Sequence, residues 1–413
     1  FRGALDVHAK AINEEMKLAA VNALAALAKK PVPDVVNDVY HVNNLTFGPT
    51  YFIPKPVDPR LITCVSEAVA KAAIKSGVAR DPITDWNDYR KQLRQLIGQE
   101  TKLTQKLYDT ARQHPQRIVF SEGIHPTMLK AAVQAKAEGI CHPILLGNDE
   151  AINKLAHELE LSLDGIEIVN LRHPDEAPRR ERYARILTEK RQRDGFTYQE
   201  ANDKMFERNY FGMMMVETGD ADAFITGLYT RYTNTIKVAN EVIGIKPEHS
   251  HFGTMHIINS QKGTYYLADT LVNQHPTTDE LVDIAKLTAN AVHFFNEDPI
   301  MAMISHSNFG SDTGEGSAKV RRAVEAIHKQ YPGIIVDGGF ALNKEQRDEL
   351  YPFNKLKGMN VNTLIFPNRT SAHSSFKILQ CLAPDIEVIG PIQMGLNKPI
   401  HFTDFGASVR DVV

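Results

Sequence analysis

The C-terminal segment of the chain carries a side-chain pattern that can bind an anion. Ser408 is followed three residues later by Asp411, which is the spacing of a capping box, so Ser408 is predicted to begin a short helix. Behind the small-residue turn 406–408, the free backbone N–H groups and partial positive charge of that helix offer a seat for a negatively charged ligand. A strand-like run, 386–390, precedes this segment. A plain strand–turn–helix corner without any ligand is the simpler alternative.

Two further stretches combine hydroxyl groups, glycines and cations. Residues 305–318 form a run rich in serine and glycine that can cradle phosphate oxygens, although it lacks the spacing of a P-loop. Asp312 and Glu315 in that run carry the wrong charge for phosphate. Upstream, Arg231 and Lys237 could serve an anion, and solvated cations on a helix surface are an equally supported alternative.

The composition excludes several classes of function. The 413 residues carry 47 Lys and Arg against 50 Asp and Glu, a net charge of −3, which indicates neither a nucleic acid nor a membrane as partner. Hydrophobic residues make up 43% of the chain, and no apolar run reaches the roughly 18 residues of a membrane span. Cys64, Cys141 and Cys381 show no metal-binding spacing and suit a reducing compartment, so we expect a cytoplasmic protein. The chain begins with Phe1 and without signal-peptide features, a pattern typical of a chain entered within a domain.

The distribution of apolar residues predicts a helical block followed by an α/β region. Apolar positions from Ile12 to Leu27 follow a helical period that Pro31 and Pro33 end, and a second helix is predicted at about 62–76, with a glycine as its C-cap. Residues 86–116 are predicted to be linking helices. Further along, strand-like and helix-like runs alternate, which predicts parallel sheets covered by helices. The predicted strands lie at 117–121, 143–147, 166–170, 254–258, 265–269, 301–305, 333–338 and 361–366.

The C-terminal segment resembles the signature of phosphotransacetylases, which exchange phosphate and coenzyme A on an acetyl group. Gly390-Pro-Ile-Gln-Met-Gly-Leu-Asn-Lys-Pro and the final Gly-Ala-Ser-Val-Arg-Asp-Val-Val carry the match. In that family a Ser-Arg pair of the acetyl-transfer site precedes the last glycine, whereas this chain has Asp404 and Phe405 there; the following family carboxylate is matched by Asp411. The exchange removes a cation and a hydroxyl and adds an anion beside the phosphate position. The resemblance therefore implies a site that no longer carries out phosphate chemistry, in which Phe405 can line a pocket for a thioester arm.

Other motifs of the same family occur over about 112–413, with departures. Arg191 lies in a motif the family shares, and the run Met213–Met215 is predicted to be core packing. Lys237 matches an arginine that serves the family's anionic site, and Asn234 matches an aspartate; lysine keeps the charge but lacks the bidentate fork. Glu122, at the end of the first predicted strand, receives no assigned chemistry.

Residues 1–85 resemble the end of the nucleotide-binding domain of bacterial malic enzymes. Phe1-Arg-Gly-Ala-Leu-Asp-Val, Ile12-Asn-Glu-Glu-Met-Lys and Ile53-Pro-Lys-Pro-Val-Asp-Pro-Arg-Leu carry this match, and His8 departs from it. No Gly-x-Gly-x-x-Gly opens a helix in the chain. The family's base, metal-binding carboxylates and malate-contacting asparagines lie upstream of the matched region. The resemblance thus implies that NADP and a divalent metal, Mg or Mn, belong to an upstream domain, and that this chain alone oxidises no malate.

The two resemblances together imply the C-terminal part of a hybrid bacterial NADP-dependent malic enzyme. The expected fold is a pair of three-layer α/β units of the phosphotransacetylase type with a cleft between them, preceded by a mostly helical remnant. The predicted limits are 1–85, a helical linker 86–111, a first unit 112–247 with 390–413, and a second unit 248–389. The first hypothesis is a regulatory region that binds acetyl-CoA in a catalytically degenerate cleft, has no catalytic residue or metal site, and assembles with the malic enzyme catalytic domain and with further copies, as a dimer or hexamer.

The residues predicted to contact acetyl-CoA come from three stretches. They are Arg231, Thr235, Lys237, Ser305, Ser307, Asn308, Ser311, Gly395, Lys398, Phe405, Gly406 and Ser408. Two alternatives remain open: a working phosphate acetyltransferase that uses Asp411, Arg191 and Lys237, and a structural oligomerisation domain with an empty cleft. Neither the sign of regulation, nor the oligomer number, nor the preference for NADP over NAD follows from these residues.

Overall fold

The structure is a computed structural model that describes residues 1–30, 32, 33, 36, 39, 40, 42, 45–96, 102–260, 262–338, 344–383 and 386–413. The chain forms two compact units. One comprises residues 1–110 with 156–162, and the other comprises residues 111–155 with 163–413.

The first unit is built from helices. They are α1 (Arg2–Asp6), α2 (Glu14–Ala28), α3 (Arg60–Lys75) and α4 (Trp86–Leu96), while α5 (Lys102–Gln113) spans the boundary between the units. Asn13 caps α2 by accepting the N–H of Met16, and α3 ends just before Gly77, whose φ of +71° favours glycine. The two helices predicted in residues 1–85 are therefore confirmed, with Pro31 outside the described residues. One apolar cluster joins α1 to α4 and includes Val7, Met16, Val69, Ala73, Tyr89 and Leu93.

The remaining elements alternate along the chain. The strands are β1 (Gln116–Phe120), β2 (Cys141–Leu146), β3 (Glu167–Val169), β4 (Ala223–Thr226), β5 (Gly253–Ser260), β6 (Gly263–Ala268), β7 (Ile300–Met303), β8 (Ile335–Gly338), β9 (Thr363–Ile365), β10 (Glu387–Met394) and β11 (Ile400–Phe402). The helices are α6 (Pro126–Ala137), α7 (Asp149–Glu158), α8 (Ala177–Arg191), α9 (Tyr198–Lys204), α10 (Arg208–Thr218), α11 (Tyr232–Val242), α12 (Thr278–Phe294), α13 (Glu315–Gln330), α14 (Lys344–Leu350), α15 (Arg369–Leu382) and α16 (Val409–Val412).

The five-stranded sheet is parallel throughout, in the order β11-β4-β1-β2-β3. From β1 the chain adds β2 and β3 on one side, and it then adds β4 and β11 on the other. The direction of the strand order therefore reverses between β1 and β4. Helix α10 packs in the hydrophobic core that covers this sheet, and its Met213, Met214 and Met215 are buried there, as predicted.

The six-stranded sheet is mixed, in the order β10-β5-β6-β9-β7-β8. Strands β6, β9, β7 and β8 are parallel neighbours, whereas β10, β5 and β6 pair antiparallel. The α/β class is confirmed, but the predicted strand–helix alternation is wrong at β5 and β6. There Ser260 pairs with Gly263, so the chain turns back directly and leaves no room for a helix between the two strands.

The C-terminal segment contributes to both sheets. Strand β10 pairs with β5 as far as Met394, and β11 then pairs with β4. Residues 395–399 therefore carry the chain from the mixed sheet to the parallel sheet. The predicted division at residue 390 falls inside β10; the other domain limits stay predictions.

Candidate functional site

Side-chain contacts connect the parallel sheet with the mixed sheet; besides the ion pair of Arg410 on α16 with Glu387 on β10, they include one contact of Asp404 and one of Tyr232. Asp404 follows β11, and its Oδ2 lies 3.2 Å from Nζ of Lys377 on α15, with the two side chains 37% and 43% exposed. Tyr232, the first residue of α11, donates its hydroxyl to Oε1 of Gln393 on β10 at 3.2 Å. We call the region around Asp404, Lys377, Tyr232 and Gln393 the inter-sheet cleft. Burial holds the pKa of Tyr232 above its usual range, so the phenol stays a donor there.

A buried carboxylate shapes the loop that follows β4. Glu122 is fully buried, and its oxygens accept the backbone N–H groups of Gly227, Leu228 and Tyr229 at 3.1, 2.7 and 2.8 Å. A Cβ at Gly227 would lie 2.3 Å from the carbonyl oxygen of Thr403, so only glycine permits this approach to the segment after β11. Glu122 therefore fixes the backbone between β4 and α11, a role that no local sequence pattern indicates.

The mixed sheet presents a buried polar group beside the cleft. Thr254 donates its hydroxyl to Asp269 at 2.7 Å, and Nδ1 of His256 lies 2.8 Å from the hydroxyl of Thr270. The His256 ring stacks on Phe376 with centroids 4.1 Å apart. Burial lowers the pKa of His256 to about 3, so this imidazole is neutral at physiological pH and serves as a hydrogen-bonding and stacking group.

Two polar atoms near these contacts have no hydrogen-bond partner among the described residues. They are Nε2 of Gln393 and Nδ1 of His373, and both atoms are buried. Buried polar atoms are normally paired, so such exceptions are suited to a ligand. The amide of Gln393 is a donor that fits the carbonyl oxygens of a thioester or of an amide-containing arm.

The serine-rich loop after β7 forms a hydroxyl cluster. Oγ of Ser307 lies 3.1 Å from Oγ of Ser305 and 3.0 Å from Oγ of Ser317. Ser317 donates to Asp312 at 2.8 Å, and this hydrogen bond is the main cause that lowers the pKa of Asp312. The loop thus carries a stable negative charge beside its hydroxyls, which disfavours a phosphate group there.

Most residues predicted to contact acetyl-CoA lie in three loops or helix starts. Arg231 is the exposed N-cap of α11 and Thr235 is buried in its first turns; Ser305, Ser307, Asn308 and Ser311 follow β7; Phe405, Gly406 and Ser408 follow β11. The predicted capping box is confirmed, since Asp411 accepts the N–H of Ser408 at 2.8 Å and donates its own N–H to the Ser408 hydroxyl at 3.3 Å. The retained family carboxylate is therefore engaged in a helix cap.

Three predicted contacts lie apart from these loops. Gly395 and Lys398 precede β11, at its amino end, where the Gly395 carbonyl accepts the N–H of Lys246 at 2.9 Å. Lys237 is 72% exposed, and its Nζ lies 3.7 Å from Glu241 on the same helix. As site residues these three stay predictions, and Gly395 and Lys398 lie at the opposite end of β11 from Phe405.

Arg191 lies at the opposite end of α11 from Arg231. Its guanidinium donates to the carbonyl of Glu241 at 2.5 Å and to the carbonyl of Asn240. These contacts provide hydrogen-bond donors for backbone carbonyls in the last turn of α11. The eleven residues of this helix span about 16 Å. Arg191 is thus occupied by a helix terminus at some distance from the cleft.

Sequence reasoning missed Lys377, Gln393 and His256. Each lies in an ordinary helical or strand pattern, and only the folded chain shows which group each one meets. Within the described residues no cluster of three or more His, Cys, Asp or Glu side chains is arranged to hold a metal ion. No helix in the same ranges combines the length and apolar character of a membrane span.

Comparisons with known proteins support the fold. The family described as phosphate acetyl/butaryl transferase matches residues 102–413. The NADP-dependent malic enzyme of Salmonella typhimurium strain LT2 is 37% identical over 422 aligned positions, which cover all of this chain and 55% of that protein. The chain thus spans about half the length of the curated relatives it matches. A phosphotransacetylase from Streptococcus pyogenes superposes with a TM-score of 0.67 at 30% identity, over 75% of this chain and 95% of that one. The EutD phosphotransacetylase from Staphylococcus aureus superposes with a TM-score of 0.66 at 27% identity, over 74% of this chain and 95% of that one.

Proposed function

The chain belongs to the phosphate acetyl/butaryl transferase family, and from that premise we propose that it is the C-terminal regulatory and oligomerisation region of an NADP-dependent malic enzyme, which binds acetyl-CoA in the inter-sheet cleft. The similarity to malic enzymes includes residues 1–101, which the transferase family does not match. NADP and the divalent metal belong, in this proposal, to an upstream catalytic domain.

The ion pair between Asp404 and Lys377 is the observation that carries the proposal. A phosphate dianion needs unpaired cations, and at this position the lysine is already neutralised by the carboxylate, 3.2 Å away. Without the carboxylate, Lys377 would be a phosphate ligand. The pair therefore supports a cleft that has lost the affinity for inorganic or acetyl phosphate.

Other residues of the cleft suit a nucleotide thioester. Phe405 is 62% exposed and offers an apolar surface, and Nε2 of Gln393 is an unpaired donor among the residues described. Arg231 is exposed at the amino end of α11, where the helix dipole also favours an anion. These residues would hold the acyl arm and the phosphates of acetyl-CoA, which as a regulator supplies binding energy and no chemistry.

The rival function, an active phosphate acetyltransferase, is less well supported. It depends on Asp411, Arg191 and Lys237, and each of these already has a partner within the chain. Asp411 caps α16, Arg191 caps the carboxyl end of α11, and Lys237 pairs with Glu241 on an exposed face. A coupled assay of acetyl phosphate formation from acetyl-CoA should show no turnover.

Self-association is supported by an exposed apolar face on α15. Ile378, Leu379 and Leu382 are 57, 41 and 78% exposed, and their spacing places them on one side of the helix. A second copy of the chain is the occupant we propose. The cytoplasmic location expected from the cysteines stays part of the proposal.

Titration calorimetry with acetyl-CoA tests the binding proposal on the whole 413-residue chain. We expect saturable binding that Gln393→Ala and Phe405→Ala weaken, whereas the matched exposed variant Phe294→Ala leaves it unchanged. Regulation further requires that acetyl-CoA bind the active and inactive arrangements of a full-length enzyme with different affinity. Absence of binding to the folded chain would reject the proposal.

A further inference from the structure

A cavity of about 770 Å³ opens at the carboxyl ends of β2, β3 and β4, and none of the four residues that define the inter-sheet cleft lines it. Its wall includes Ile124 after β1, Asn148 after β2, Asn170 after β3 and Tyr229 after β4. In open parallel sheets, ligands bind outside the carboxyl ends of the strands where the strand order reverses, and here that point lies between β1 and β4. We call this space the switch-point cavity. Its volume is that of a small-molecule site.

The wall of the switch-point cavity carries cations that the protein does not neutralise. Arg172 and Arg208 both line it, and within the described residues neither guanidinium has a carboxylate partner. Arg208 lies near the Tyr229 ring, 5.9 Å from its centroid. An anionic ligand, above all a phosphate, is the natural counter-charge for this set.

Aromatic and amide side chains complete the wall. Tyr229 is 51% exposed and Phe206 is 39% exposed, so ring surface is available for stacking against a base. Asn209 and Asn234 also line the space, and an amide can both donate to and accept from a base edge, whereas the side chains of Asn148 and Asn170 already hydrogen-bond within the protein. Glu207, the acidic wall residue, suits ribose hydroxyls, which are donors.

The backbone that carries Tyr229 is held in place before any ligand binds. Glu122 accepts its N–H at 2.8 Å, and His125 packs edge-on against its ring with centroids 4.8 Å apart. A preorganised wall lowers the entropic cost of binding.

A second cavity, of about 450 Å³, lies beside the same sheet and is lined by arginines that have carboxylate partners. It lies at the amino ends of the strands and is lined by Arg117 and Arg182. Nη2 of Arg117 lies 2.8 Å from Asp222, and Arg182 forms an ion pair with Asp220. Arg179, a third arginine of this wall, has its Nε 3.2 Å from Glu176, so each of these cations has a carboxylate partner, unlike Arg172 and Arg208.

We propose that the switch-point cavity binds a nucleoside phosphate, with the base against Tyr229 and Phe206 and the phosphate on Arg172 and Arg208. The proposal does not depend on the regulatory function. Two sources of this chemistry exist: a free nucleotide, and the adenosine 3′,5′-bisphosphate end of a coenzyme A thioester.

Calorimetry with ADP on the whole chain tests the proposal. We expect saturable binding that Arg208→Gln and Tyr229→Ala each weaken about tenfold or more, as the loss of a charge-assisted contact or a stacking surface should. Arg185→Gln removes the same charge from a side chain that is 70% exposed on α8, and it should leave ADP binding unchanged. Thermal melts confirm that each variant is folded. No ADP binding at millimolar concentration, or equal weakening by Arg208→Gln and Arg185→Gln, would overturn the proposal.

Adenosine 3′,5′-bisphosphate and acetyl-CoA, titrated with and without ADP, distinguish the two sources. If acetyl-CoA displaces ADP and is weakened by Arg208→Gln, the cavity holds the nucleotide end of coenzyme A. If acetyl-CoA binds alongside ADP and is insensitive to Arg208→Gln, the cavity takes a free nucleotide. If ADP binds but acetyl-CoA does not, the proposed regulatory function fails while the nucleoside phosphate site stands.

Discussion

The charge of Asp404 determines, in our interpretation, whether the inter-sheet cleft admits phosphate. Asp404→Asn keeps the shape of the side chain and removes its charge, which releases Lys377 from the 3.2 Å ion pair. A phosphate dianion about 5 Å from a carboxylate is repelled by about 1.7 kcal/mol in a water-like dielectric. Since about 1.4 kcal/mol corresponds to a factor of ten, the variant should bind inorganic phosphate about ten times more tightly than the natural chain. Because both side chains are partly exposed, we add no separate energy for the pair itself.

Phosphate titration by calorimetry at low ionic strength measures this change. The double variant Asp404→Asn with Lys377→Gln should gain less than the single variant, because the released cation is absent. Asp203→Asn, the same charge change on an exposed residue of α9, should have no effect. Higher salt should reduce the gain.

Two results would refute the reasoning. One is millimolar or tighter phosphate binding by the natural chain. The other is an Asp404→Asn variant, folded by its melting curve, whose phosphate affinity equals that of Asp203→Asn. Either would mean that the carboxylate does not control the anion in this cleft.

Three further predictions concern stability and assembly. Glu122→Gln should lower the free energy of unfolding by about 2 kcal/mol in urea titrations, because a neutral amide replaces a charged acceptor of three N–H groups. The control variant Glu325→Gln, at an exposed position, should change the free energy of unfolding little. The pKa of His256 is about 3 in the folded chain and 6.5 for an unperturbed histidine, so the unfolded state binds more protons between these values. The free energy of unfolding should therefore fall as the pH drops below 6.5, by about 2 kcal/mol at pH 5. Urea titrations of His256→Gln should lack this pH-dependent loss. Ile378→Asp combined with Leu382→Asp should shift the chain toward monomer in sedimentation velocity, and an unchanged distribution would remove α15 as the interface.

Local patterns predicted the elements well because each depends on residues close together in sequence. The helix at 60–75 with Gly77 behind it, the cap formed by Ser408 and Asp411, and the parallel strands after residue 116 follow from periodicity and capping chemistry. The family matches also confirm the resemblance to phosphotransacetylases over the C-terminal three quarters of the chain.

The site could be predicted only in part, since side-chain direction and long-range pairing decide it. Arg231 and Lys237 are six residues apart on one helix, which is well short of two full turns, so they point in different directions. Gly395 and Phe405 are only ten residues apart in sequence, but β11 lies between them, so they are at opposite ends of that strand. The pair of Lys377 with Asp404 joins segments from different sheets, and no periodicity within either segment contains that information.

The path of residues 387–402 has a consequence for biosynthesis. These residues supply β10 at one edge of the mixed sheet and β11 at one edge of the parallel sheet, and they are translated after every other strand of the two sheets. Neither sheet can reach its full width while the chain is still being extended toward them. The edge of β4 and the edge of β5 therefore stay unpaired until residues 387–402 have been made, and unpaired edges expose a nascent chain to strand exchange with a neighbour.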